Sequence, residues 1–183
     1  MQPLLILPIL AFLILLALFL LVLRRAGQFI AATRDVERFR RQVGDLVGRA
    51  EISLAEICIR VDVVRRGSLG ADEVADDLAA SIDAVARYEN EARGLHPPKD
   101  GVTIRAAIVA ELERAARALE MIEHGRGIQA SARSGGREIE AQTAIKRGYL
   151  NVLHARESVA HQAKVARDLS ATDETSRFQR RNA

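Results

Sequence analysis

Apolar residues follow two regimes along this chain. Residues 3–23 read PLLILPILAFLILLALFLLVL, without one polar or charged side chain. From Arg24 onward apolar positions recur at steps of three and four, with charged residues between them. The first pattern predicts a helix that is apolar on every face. The second predicts a series of amphipathic helices.

Turn signals divide the second regime. Between Gly27 and Arg66 the stripe is Val36, Phe39, Val43, Leu46, Ala50, Leu54, Ile57, Val61 and Val64. It has a heptad rhythm with one extra step of four, a stutter that locally unwinds a supercoil. Ile52, Cys58, Ile59 and Val63 add a second apolar face, expected to be buried by more than one neighbour. Gly67-Ser68-Leu69-Gly70 predicts a turn. Asp72 and Glu73 then open a second helix at the end where the helix dipole favours acids. Its stripe is Ala71, Val74, Leu78, Ile82, Val85, Tyr88, Ala92 and Leu95, and Gly94 with His96-Pro97-Pro98 ends it. After Lys99-Asp100-Gly101, with Asp100 or Thr103 as cap, a third helix carries Ile104, Ile108, Leu112, Ala115, Leu119 and Ile122. Gly125 and Gly127 predict fraying or a bend there, and Ser134-Gly135-Gly136 a firm stop. A fourth helix is expected from Arg137 to about Leu169, with Ile139, Ile145, Tyr149, Val152, Leu153, Val159, Ala160, Ala163 and Ala166 on its apolar face.

Short turns make neighbouring helices antiparallel. The expected fold is therefore all-α: a single N-terminal transmembrane helix followed by a stalked, antiparallel up-down four-helix bundle, coiled-coil-like in its rhythm. The expected division is a transmembrane anchor over 1–23 and a basic juxtamembrane stalk over 24–50, continuous with the first bundle helix. A helical bundle over 51–169 and a disordered basic tail over 170–183 complete it.

The anchor expectation rests on length. Residues 3–23 as a helix span about 31 Å, the thickness of a hydrocarbon core. A cleaved signal peptide would need a basic start, a shorter apolar run and a small-residue cleavage site. The chain begins Met-Gln, and its apolar run stops at Arg24-Arg25. Arg24, Arg25, Arg34, Arg38, Arg40 and Arg41 all follow the run and none precedes it. The positive-inside bias then predicts a single-pass protein of the cell inner membrane or plasma membrane, N-terminus outside and C-terminal domain cytoplasmic. The run has no ionisable residue for a proton relay and no glycine for a GxxxG face.

Composition narrows the rest. Aromatics are 4% and tryptophan is absent, so the core must be built from Leu, Ile, Val and Ala, which suits helix packing. Only Lys99, Lys146 and Lys164 accompany an otherwise arginine-based positive charge, a bias with a bacterial character. The single cysteine, Cys58, excludes an internal disulfide.

Candidate chemistry is sparse. His154, Glu157 and His161 share a helix face and are the best metal-ligating types in the chain. Bundle metal sites need paired Glu-x-x-His motifs, however, and here the order is reversed and occurs once. A solvated polar face explains the trio better. Glu120, Glu123 and His124 read as a polar helix end, His96 as a turn residue and Cys58 as a buried small hydrophobe. No phosphate loop, Cys-x-x-Cys cluster, nucleophile elbow or HExxH occurs. No catalytic, cofactor-binding or metal residue is therefore assigned, no cofactor is expected, and the chain reads as non-enzymatic.

After Val61-Asp62-Val63-Val64-Arg65-Arg66 comes Gly67-Ser68-Leu69-Gly70. The layout of a helical bundle behind an apolar N-terminal helix resembles the LemA-type bacterial membrane proteins. That family has an Asp-Leu-Ile-Pro-Asn run at this point, so no function or residue is carried over.

The expected role is a protein–protein interaction or scaffold module at the cytoplasmic face, binding a protein partner or itself. The expected lipid contact is a bilayer around residues 3–23. One alternative is a ligand- or metal-binding bundle with a sensor or enzymatic role. Another is anionic lipid or nucleic-acid binding through Arg38, Arg40, Arg41, Arg177, Arg180 and Arg181. Nucleic acid is disfavoured, since stacking aromatics and a recognition motif are lacking.

Overall fold

A computed structural model of the chain describes residues 6–67, 70–131 and 136–169. Among these there are four α-helices and no strand. They are α1 (Ile6–Arg65), α2 (Ala75–Gly94), α3 (Val102–Ser131) and α4 (Glu138–Asp168). Short 3-10 turns at Ala71–Val74 and Lys99–Gly101 lead into α2 and α3. The described residues divide into two compact units, Arg38–Leu169 and a second that contains residues 6–37.

The helix ends follow from local chemistry. Proline is absent between Ile9 and His96, so nothing breaks the backbone ladder of α1. Gly67 stops it: its φ of +75° lies in the left-handed region, and its N–H donates to the Val64 carbonyl at 2.9 Å. At the next start the Gly70 N–H donates to Glu73 Oε1 at 3.0 Å, and the Glu73 N–H donates back to the Gly70 carbonyl at 3.1 Å. Leu95 leaves α2 in an extended conformation ahead of Pro97-Pro98.

Unit Arg38–Leu169 holds two apolar clusters, and their membership gives the topology. The first joins Phe39, Val43 and Leu46 of α1 to Ala92, near the end of α2. Ile104, Ile108 and Leu112 from the start of α3, and Val159, Ala163 and Ala166 from the end of α4, complete it. The second joins Leu54, Ile57 and Val61 of α1 to Leu78 and Val85 of α2. It also takes Ala115, Leu119 and Ile122 of α3, and Ile145, Val152 and Ala155 of α4. Residue numbers rise from the first cluster to the second on α1 and α3 and fall on α2 and α4. The helices of this unit therefore run alternately up and down as a helical bundle. Among the described residues no polar or charged residue is buried.

Small residues set the closest approaches. A Cβ on Gly125 of α3 would lie 2.9 Å from the Ala141 carbonyl oxygen of α4. At the turn into α3 a Cβ on Gly101 would lie 2.9 Å from the Phe39 ring. Gly125 is thus a packing position, and α3 continues through it and Gly127 to Ser131, where fraying or a bend was expected.

Several expectations are corrected. Residues 3–5 of the expected anchor lie outside the described residues. Among the described residues no helix is long and apolar enough to cross a membrane. The single transmembrane helix is therefore not supported. Neither is the single-pass inner-membrane or plasma-membrane location with a cytoplasmic domain that was built on it. Ile52 and Ile59, expected to be covered by more than one neighbour, are exposed, and so is Ile139. Ile52 and Ile59 stand away from the side of α1 on which Leu54, Ile57 and Val61 enter the core. The expected disordered tail, 170–183, lies outside the described residues.

Candidate functional site

The residue types with the most chemistry do not converge. His154, Glu157 and His161 of α4 are all exposed, as are His96, His124 and Glu120. Among the described residues no group of three or more potential ligands could hold a metal ion. Glu123 is held by Arg126, whose Nε donates to Glu123 Oε2 at 2.8 Å. This hydrogen bond holds the Glu123 carboxyl below its ordinary value, against the opposing effect of burial. Arg126 also reaches Asp72 Oδ1 at 3.1 Å, tying the entry of α2 to α3. Glu123 thus orients Arg126 from its own helix, and Arg126 makes the tie to Asp72.

Cys58 is buried in the second cluster. Burial pushes its thiol up to about 11, against a smaller opposing effect of Arg156. It borders a packing gap lined by Ile57, Val61, Leu119, Ile122, Tyr149 and Val152 that has no room for a water molecule. A thiol that stays protonated in a dry apolar setting is a poor nucleophile.

Arginines are engaged in ties between helices. Arg49 Nη2 donates to Glu91 Oε1 at 2.6 Å, and its guanidinium lies 5.7 Å from the centre of the Tyr88 ring. Tyr88 shares a hydrogen bond with Ser53 at 3.0 Å. Arg65 pairs with Asp62 at 2.7 Å and lies 5.4 Å from the centre of the Tyr149 ring. A shallow groove between α2 and α3 is bordered by Arg93 and Arg105. Arg93 bonds Glu113 at 2.8 Å, and Arg105 bonds the Leu95 carbonyl at 3.2 Å, so neither is held ready for an anion.

A surface remains. Ile52 and Ile59, one heptad apart on α1, are 62% and 66% exposed. Val63, half-buried, extends their line. Asp45 precedes this stripe and Arg66 follows it, each mostly exposed. The sequence pattern singled out Ile52 and Ile59 as apolar and misassigned what covers them. A second apolar stripe on one helix looks the same whether its neighbour lies in the chain or outside it.

No family model, no curated protein and no solved structure matches this chain. The likeness of layout to LemA-type proteins therefore assigns no family.

Proposed function

We propose that this chain is a protein–protein interaction or scaffold module built on a helical bundle, with no catalytic role. One observation carries the reading: α1 keeps Ile52 and Ile59 exposed on its outer side while its other apolar stripe is buried in the core from Phe39 to Val61. Apolar side chains left in water on one line of a helix offer a surface whose covering by another body is favourable. A photoreactive residue placed at 52 or 59 of the intact chain in cells tests it. Discrete protein adducts at both positions, absent from a probe at exposed Gly127, are the expected result. No adduct at either position counts against the reading.

A second reading has its own observation. Phe12, Leu13 and the apolar side chains of residues 15–23 are exposed, and Arg24 and Arg34 follow on the same helix, both exposed. Apolar surface beside basic residues favours contact with an anionic lipid surface, and such contact needs no crossing. Vesicle flotation tests it: the chain should float with anionic vesicles more than with neutral ones, with the difference shrinking in salt. Equal recovery with and without vesicles removes it. The ligand- or metal-binding reading loses its footing with the solvent-facing His154, Glu157 and His161.

A further inference from the structure

Resting on the interaction-module reading, we infer that the outer stripe of α1 pairs with the same stripe of a second copy of this chain. The two helices run antiparallel, with Ile52 against Ile59 of the second copy and Asp45 against Arg66 of the second copy.

The stripe is Asp45, Ile52, Ile59 and Arg66, each one heptad from the next. A straight α-helix drifts only about 20° per heptad, so the four make one nearly straight line. That line lies opposite the side on which Leu54 and Ile57 enter the core. Its order is acid, isoleucine, isoleucine, base. Reversing the line gives base, isoleucine, isoleucine, acid. Antiparallel pairing therefore sets unlike charges against each other at both ends and isoleucine against isoleucine between them. Parallel pairing in register would set Asp45 on Asp45 and Arg66 on Arg66. A two-fold interface must be self-complementary, and only the reversed pairing is.

Both end charges are open to a partner. The Asp45 side chain is 73% exposed and the Arg66 side chain 69%. Each already has a local contact, Asp45 with Arg49 at 3.2 Å and Arg66, in the turn just past α1, with Asp62. The second copy extends those pairs into a chain of alternating charge. In the same register exposed Gly48, with open space around it, stands level with Val63 of the second copy, so the backbones come close there. Exposed Glu56 lies beside the two-fold axis and meets its own copy, which keeps the dimer weak and concentration-dependent. The isoleucines supply attraction and the end charges choose direction and register.

The test uses the full chain in detergent, by sedimentation over a range of protein concentration. A reversible dimer is expected. Asp45→Arg should weaken it roughly fivefold or more, since two exposed ion pairs become repulsive. Adding Arg66→Asp to that variant should restore it, and Glu56→Gln alone should tighten it. In a Cys58→Ala background, chains with Ile52→Cys mixed with chains with Ile59→Cys should form a disulfide that neither forms alone. A disulfide needs Cα atoms within about 7 Å, which only the reversed register supplies. A monomer at every concentration overturns the inference. So does a like-with-like disulfide pattern, or self-association untouched by Ile59→Arg. A monomer whose position 59 still crosslinks to a different protein in cells overturns the second-copy pairing and leaves the interaction-module reading standing. A monomer that crosslinks to nothing removes both.

Discussion

Gly148 of α4 lies so close to Ala118 of α3 that a Cβ on it would stand 2.7 Å from the Ala118 carbonyl oxygen and 2.5 Å from Ile122 Cγ1. Backbone oxygen cannot step aside as a flexible side-chain end can. Gly148→Ala should therefore destabilise the bundle by about 1–3 kcal/mol, the overpacking cost exceeding the gain in helix propensity. Gly127→Ala, where nothing lies within 4 Å, should have the opposite sign and stabilise, by up to about 1 kcal/mol. Chemical denaturation of the pair checks both signs. Two changes of the same sign would contradict the close approach of α3 and α4.

Leu112 and Leu119 are fully buried, one in each apolar cluster. Leu112→Ala and Leu119→Ala should each cost about 2–5 kcal/mol. Because the bundle is one unit, unfolding monitored by circular dichroism should stay a single transition in both variants. A variant that melts in two steps would show that the clusters fold separately.

Cys58 should resist alkylation in the folded chain and react at once in denaturant. Its thiol is raised from 9.0 to about 11 by burial, so the folded state favours the neutral form. The sign follows: stability is intact below about pH 9 and falls as pH rises through the folded value near 11. Cys58→Ala should flatten that alkaline fall, measured by urea denaturation against pH. Rapid labelling of the native chain at neutral pH would contradict the buried placement.

Glu123 has the reverse linkage. Its hydrogen bond to Arg126 lowers its carboxyl below the ordinary 4.5. The stability it contributes is present above that value and is lost as pH falls through the lowered folded value. Glu123→Gln should therefore lower neutral-pH stability by a few tenths of a kcal/mol and make the acid limb of a stability–pH curve shallower by the same small amount, since exposed ion pairs contribute roughly 0–1 kcal/mol.

Much of the helical pattern is legible in the sequence, because it is local. The stop at Gly67 and the break before Pro97-Pro98 are set by backbone preferences of single residues. What helices do to one another is less legible. Gly125 looks like a weak point in a helix, and only the Ala141 carbonyl of α4 shows it to be a contact. Ile52 and Ile139 carry apolar chemistry, but the pattern cannot say that no other helix of the bundle reaches them. The anchor expectation rested on length and hydropathy over residues 3–23, and among the described residues no helix is long and apolar enough to cross a membrane. The candidate surface was half-legible: the stripe is in the sequence, and its exposure is not.

The central claim is that Ile59 belongs to an interaction surface and to no core, and Ile59→Arg in the full chain tests it most directly. Thermal unfolding and sedimentation are measured on the same samples. A surface position should change stability by no more than about 0.5 kcal/mol, and the melting temperature should stay within a few degrees. Self-association should be lost. A large fall in melting temperature would place Ile59 in the core, and unchanged association would show that the outer stripe of α1 binds nothing.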